Sequence, residues 1–169
     1  MAGTRSRRGV EISREPSPVI AIRAATAADA EALAALRWEF RGRRDPTPES
    51  ESEFLARCVP WMRGRLGPAS VWRVWIAEDD RRAVGQIWLQ IFEKIPNPNG
   101  EGQRHGYVSN LYVQPASRGG VGRQLLDAAL NYAEAEGVDR VLLWPSARSV
   151  TLYERRGFTR ESEVFELKL

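Results

Sequence analysis

The stretch from Tyr107 to Phe158 limits what this chain can fold into more than any other. Tyr107 to Val113 has the β-branched and aromatic content of a strand and is closed by Pro115. Gly119, Gly120 and Gly122 then crowd into a short loop. After it, Leu125, Leu126, Ala129, Leu130 and Ala133 recur on one helical face that ends at Gly137. Val138 to Trp144 reads as the next strand, nearly all apolar from Val141, as expected of a strand buried in mid-sheet. Strand, crossover helix, strand in this order calls for a parallel pair with a right-handed connection. The glycines let backbone N–H groups gather at a helix start, where the dipole is positive, so the junction suits an anion such as a pyrophosphate.

The rest of the chain builds a sheet around that unit. Val19 to Arg23 is a short β-branched run, and Thr26 with Asp29 marks the start of a helix that carries Leu33, Leu36 and Phe40 and should end near Arg44. Asp45 to Pro48 breaks the chain; Thr47 as cap with Pro48 at the first position opens a second helix, which Pro60 should kink. Val71 to Ala77 and Ala83 to Phe92 form an antiparallel hairpin about a polar turn, and Lys94 to Gly106 is a loop. Ser149 to Arg156 is a short helix closed by Gly157, and Val164 to Leu169 alternates as a last strand. The order β-α-α-β-β-β-α-β-α-β predicts a mixed α/β (α+β) fold, with a mostly antiparallel central sheet and helices on both faces. The ligand crevice of such sheets lies beyond the carboxyl ends of the strands.

Composition narrows the function classes. The 169 residues suit one domain, residues 19–169, behind a basic leader, residues 1–18, that is rich in Arg, Ser, Gly and Pro and has no core pattern. The net charge of +3 is mostly in that leader, where Arg5, Arg7, Arg8 and Arg14 stand against Glu11 and Glu15. The remainder is close to neutral, which argues against nucleic acid as a partner; a leader that did bind it would show steep salt dependence. No apolar run is long enough for a membrane span, and no apolar segment of a secretory signal follows the basic N-terminus. The single cysteine, Cys58, reads as a buried thiol in a helix, which fits a reducing, cytoplasmic compartment.

Two motifs give the chain a family likeness. A strand ending Asn110-Leu-Tyr-Val113 runs through Pro115 into the glycine loop, and Ser146-Ala-Arg-Ser-Val-Thr-Leu-Tyr-Glu-Arg-Arg-Gly-Phe158 follows the next strand. Together, in this order and on these elements, they resemble the GNAT superfamily of acetyl-CoA-dependent N-acetyltransferases. The likeness departs from the family pattern in two places: Ser117 stands where the loop usually has Arg or Gln, leaving the loop one residue short, and Ser146 and Ser149 replace Asn and Ala. The resemblance implies acetyl-CoA as cosubstrate, no metal, and a dimer as a common assembly. It implies that the pantetheine arm lies along Leu111, Tyr112 and Val113. The pyrophosphate would meet the loop at Arg118, Gly119, Gly120, Val121, Gly122 and Arg123. Ser146 and Ser149 would bond a pantetheine amide or cap the helix, and Tyr153 would protonate the leaving thiolate.

Attack by an amine on a thioester needs a proton acceptor or a site that binds the neutral amine. Relatives often place a Glu on the fourth strand; Ser109 and Asn110 stand there instead, leaving His105 and Glu93 as candidates through water. The resemblance also implies that the backbone near Leu111 and Tyr112 donates to the developing oxyanion. Of the tryptophans, Trp61, Trp72, Trp75 and Trp144 read as core, whereas Trp38 and Trp88 could also line an acceptor pocket for an apolar or aromatic amine. The resulting expectation is transfer of an acetyl group to a primary amine of a small molecule or peptide by direct attack in a ternary complex. A silent acyl-CoA-binding module of the same fold is the alternative.

Overall fold

Val84 to Leu89 is buried at every position, so this segment must be covered on both faces, and it forms the centre of the sheet. The computed structural model describes residues 20–42, 48–100, 102–160 and 167. The central strand, β3 (Arg82–Glu93), pairs antiparallel with β2 (Trp72–Asp79) and with β4 (Arg104–Val113). β1 (Ala21–Ala24) extends the sheet antiparallel beyond β2, and β5 (Arg140–Leu142) pairs parallel with β4, giving the order β1-β2-β3-β4-β5. The β2–β3 hairpin turns on Asp80 and Arg81, with φ of 45° and 63°, the sign pattern of a two-residue type I′ turn made without glycine.

Each face of the sheet carries its own core. On one side α1 (Ala30–Arg41) and α2 (Glu51–Arg63) bury Leu33, Ala34, Cys58 and Met62 against Val74, Ile76 and Trp88. On the other, α3 (Val121–Ala135) buries Leu125, Leu126 and Ala129 against Ile87, Leu89 and Val108, and α4 (Val150–Glu154) adds Tyr153. Leu125 and Leu126 are fully buried, each worth about 2 kcal/mol of transfer free energy. No helix among the described residues is long and apolar enough to cross a membrane.

Three local expectations change. The second helix starts after Ser50, whose hydroxyl accepts from the Glu53 N–H at 3.3 Å while the Glu53 carboxylate accepts the Ser50 N–H at 2.7 Å. That reciprocal cap outcompetes the Thr47-Pro48 signal; Thr47 itself lies outside the described residues. α1 ends at Arg41 rather than near Arg44. Of Val138 to Trp144 only Arg140–Leu142 pairs among the described residues, where β5 stands at the edge of the sheet, and Trp144 is 65% exposed rather than buried. Pro145 lacks the N–H a longer ladder would need. The leader 1–18 and the strand expected at Val164 to Leu169 lie outside the described residues, Leu167 apart.

Arg23 on β1 ties the first helical turn to β2. Its guanidinium donates to Asp29 at 2.7 Å and to Glu78 at 2.6 Å, and the Asp29 carboxylate also accepts the Thr26 N–H. The Arg23 hydrogen bonds hold the Asp29 carboxyl down at about 2. A carboxyl depressed on folding stabilises above its unfolded value of ~3.9, and the gain is lost as pH falls through the folded value. Arg23→Met should therefore lower stability at pH 6 by about 1 to 2 kcal/mol and flatten the loss between pH ~4 and 2. Urea unfolding across that range checks it; equal acid slopes in the two proteins would show that Arg23 does not hold Asp29.

Candidate active site

β4 and β5 pair only at His105–Arg140, Gly106–Val141 and Tyr107–Leu142. Past Tyr107 the strands part, so among the described residues one edge of Val108 to Val113 has no strand beside it. The gap opens into a cleft of about 1590 Å³ that runs from α1 and α2, across β4, to the glycine loop and α4. Pockets for a single drug-sized ligand are roughly 300–1,000 Å³, so this one has room for two reactants.

A bulge re-aims β4 at the centre of the cleft. Gln86 faces Tyr112 and Trp88 faces Ser109, so Ile87 alone stands opposite Asn110 and Leu111. Asn110 takes the extra residue in the left-handed region, φ 54°, which Asn tolerates better than most side chains. Its Oδ1 accepts a hydrogen bond from Arg37 Nη1 at 3.0 Å. The same helix holds β4 again through Glu39, which accepts from Gln114 Nε2 at 3.0 Å and from the Tyr112 hydroxyl at 3.3 Å. Behind the bulge, the fully buried Gln86 donates to the Leu33 carbonyl at 3.1 Å and accepts from Trp88 Nε1 at 2.9 Å. Its amide thereby joins α1 to the floor of the cleft. Sequence reading missed Arg37, Glu39 and Gln86, because their partners lie on other elements.

The glycine loop meets the cleft with backbone donors. Gly120, φ 92°, precedes α3, and its carbonyl accepts the N–H groups of Arg123 and Gln124. The N–H groups of Gly119, Gly120 and Gly122 have no backbone acceptor among the described residues. Arg118, Gly120, Gly122 and Arg123 line the cleft; Gly119 does not, and Val121 turns its side chain into the core, 2% exposed. A Cβ on Gly122 would meet nothing nearer than 3.9 Å, so that position is open towards the cleft rather than packed shut.

Leu111, Tyr112 and Val113 line the wall where the strands part. Ser146 and Ser149 face the same space, their hydroxyls 2.9 Å apart, with Ser149 donating to the Ser146 carbonyl; Ser149 precedes α4 without a side-chain hydrogen bond to the helix N–H groups. Tyr153, 9% exposed, stands edge-on to Phe158 with ring centroids 5.7 Å apart. Burial pushes its phenol up, partly offset by a hydrogen bond with Ser149. His105 lies edge-on to Phe92 at 5.8 Å and Glu93 is exposed; neither lines the cleft.

At the other end, Trp61, Trp72 and Trp88 meet at centroid distances of 5.7 to 6.1 Å and line the cleft. Trp61 is 42% exposed, not core as expected, while Trp38 is tilted against Phe54 and does not itself line the cleft. Cys58 also reaches this wall. Burial pushes its thiol up against the pull of the Arg57 and Arg37 charges, so it stays a protonated, inert thiol at neutral pH.

Known proteins match this architecture. Residues 30–158 match the acetyltransferase (GNAT) family. A mycothiol acetyltransferase of Geodermatophilus obscurus is 34% identical over 118 residues, covering 67% of this chain and 35% of that protein, so the chain spans about a third of that relative's length. A glucosamine 6-phosphate N-acetyltransferase of Trypanosoma brucei brucei is 28% identical over 132 residues, covering 78% of this chain and 86% of that one. A predicted acetyltransferase from Clostridium acetobutylicum, solved with acetyl-CoA, superposes with a TM-score of 0.73 at 23% identity over 89% of this chain and 96% of its own, which is a likeness of fold. With the match running from α1 through the glycine loop to Phe158, the chain belongs to the acetyltransferase (GNAT) family.

Proposed function

We propose that the cleft binds acetyl-CoA where β4 and β5 part and passes its acetyl group to the amine of a small acceptor lying against α1 and α2. The observation that carries this is the β4 edge that no described strand pairs, running into a loop whose N–H groups have no backbone acceptor among the described residues. Acetyl-CoA supplies the acetyl group as a thioester; the chain supplies everything that positions it and moves protons. The edge of Val108 to Val113 offers N–H and C=O groups at strand spacing, which suits the amides of a pantetheine arm. Gly120 and Gly122 offer N–H donors at the start of α3, with Arg118 and Arg123 beside them, which suits a pyrophosphate. The bulge turns backbone near Leu111 into the cleft, where an N–H can stabilise negative charge on the carbonyl oxygen. Tyr153 Oη donates the proton to the departing sulfur. No described Asp, Glu or His lines the cleft, so the acceptor amine reacts as the free base it brings. The names of the two relatives support a small acceptor.

Gly122→Val tests the anion cradle. A Cβ at this position meets no contact under 3.9 Å in the protein, so folding should survive while the side chain takes up space for the phosphates, and circular dichroism checks the fold. Calorimetric titration should show acetyl-CoA affinity reduced by about tenfold or more, the loss expected of one or two charge-assisted hydrogen bonds. Unchanged affinity in the folded variant would remove the loop from the site.

Tyr153→Phe tests the proton donor. Acetyl-CoA affinity should stay within a few-fold while kcat falls by roughly 10²-fold, the usual scale of general acid catalysis. Because burial raises this phenol above its ordinary ~10, the donor stays protonated throughout pH 7 to 9, and kcat should show no alkaline fall in that range. Single-turnover rates across pH separate this from product release; a variant rate within a few-fold of the parent would leave Tyr153 a packing residue.

A further inference from the structure

The acceptor half of the cleft combines positive charge with an aromatic wall, in which Trp61, Trp72 and Trp88 meet edge to face or tilted. Arg37 and Arg41 on α1 and Arg57 on α2 line it, above Trp61, Trp72 and Trp88. Of the three cations, Arg37 gives a donor to Asn110 and Arg57 pairs with Glu49, which itself stands outside the lining. Arg41 lies over the Phe40 ring at 5.1 Å and forms no ion pair with a described residue. Arg37 also feels the Arg41 charge, so the two guanidinium groups are close enough to repel. Cations left facing one another beside an apolar surface are relieved by an anion, and a second positive charge there is penalised.

We infer that the acceptor is a primary amine bearing both an anionic group and a flat aromatic body, of which an aromatic α-amino acid is the simplest chemical form. Its carboxylate meets Arg41 and Arg57, its ring lies against the tryptophan floor, and its amine points across Asn110 to the parting of the strands. This deepens the acetyl-transfer reading and rests on it. A planar ring on tryptophan edges and faces gains both buried area and quadrupole contacts. A guanidinium fork matches a carboxylate with two parallel hydrogen bonds. A polycationic amine would place ammonium groups against three guanidinium groups and fails on charge alone. A phosphorylated amino sugar shares the anion and the amine but not the ring.

The test is thiol release from acetyl-CoA by the full chain with matched pairs of acceptors: phenylalanine against phenethylamine, tryptophan against tryptamine, and glucosamine 6-phosphate against glucosamine. Acetyl-CoA binding is measured separately by calorimetry. The aromatic acids should exceed their decarboxylated partners in kcat/KM by about tenfold, the discrimination two charge-assisted hydrogen bonds to a carboxylate supply. Arg41→Gln should erase most of that ratio by raising KM with kcat little changed, and Arg41→Lys should restore part of it. Arg57→Gln gives a second reading at a site on another helix. Equal or better turnover of the decarboxylated amines overturns this inference and leaves acetyl transfer standing. A larger gain from the phosphate of the sugar pair than from the carboxylate of the aromatic pairs overturns the aromatic assignment. Acetyl-CoA binding with no turnover of any amine, or no binding at all, overturns the transfer reading and this one with it.

Discussion

The left-handed backbone at Asn110 is the constraint on which the cleft depends. A non-glycine residue there costs on the order of 1 kcal/mol, and a hydrogen bond from a charged guanidinium contributes roughly 1.5–3 kcal/mol, so the Arg37 contact outweighs the strain it fixes. The bulge it maintains sets the register of everything downstream. Without the extra residue, Leu111, Tyr112 and Val113 would each turn to the opposite face of the sheet, because side chains alternate with period two. Tyr112 would leave Glu39 and Phe40, and Val113 would leave the α3 core. One side-chain contact from α1 thus decides which atoms of β4 look into the cleft.

The same helix joins the acceptor wall to the reacting centre. Arg37 reaches Asn110, Leu33 offers its carbonyl to Gln86, and Gln86 holds the Trp88 indole. A fully buried amide with both ends satisfied is stable; with one partner removed it leaves a polar group stranded at a cost of about 1–3 kcal/mol. The tryptophan floor and the bulge therefore share a support, and a displacement of α1 moves both. The cofactor wall is built differently, from backbone N–H groups on a loop and from α3, whose apolar face is locked into the opposite core. In the proposed reading, acceptor choice and cosubstrate binding thereby rest on opposite sides of one sheet.

Much of this was legible in the sequence where the signal is local. The hairpin, the α3 stripe and the place of Tyr153 depend on neighbours within a few positions, and the glycine loop is read from spacing alone. Two departures have separate physical causes. Val138 to Trp144 is as apolar as a central strand, but apolarity does not distinguish a strand buried on both faces from one that ends early and presents Trp144 to a cleft. Thr47-Pro48 is a sound start signal that a stronger one three residues later displaces. What could not be read is the set of contacts made across the sheet: Arg37 with Asn110, Glu39 with Gln114, Gln86 with Leu33. Each pair is separated by more than fifty residues and carries no spacing rule. Ser109 and Asn110 looked like the loss of a catalytic carboxylate, whereas in the fold Asn110 is the bulge residue.

The charge of the cleft gives that loss a chemical reading. Burial moves Cys58 and Tyr153 on its wall upward, which keeps them neutral near physiological pH, and moves Arg37 downward. The arginines stay charged. No carboxylate or imidazole among the described residues lines the wall, so in the proposed transfer the amine would shed its proton to solvent before attack. A free α-amino acid is a poor candidate in water, because its own carboxylate favours the ammonium form. Pairing that carboxylate with guanidinium groups removes this bias, and the remaining positive field of Arg37, Arg41 and Arg57, opposed by Glu49 and Glu39 from outside the lining, lowers the amine pKa further. For the acceptor inferred above, binding the anion and freeing the amine would be one event, and the transfer would not need a base on the fourth strand.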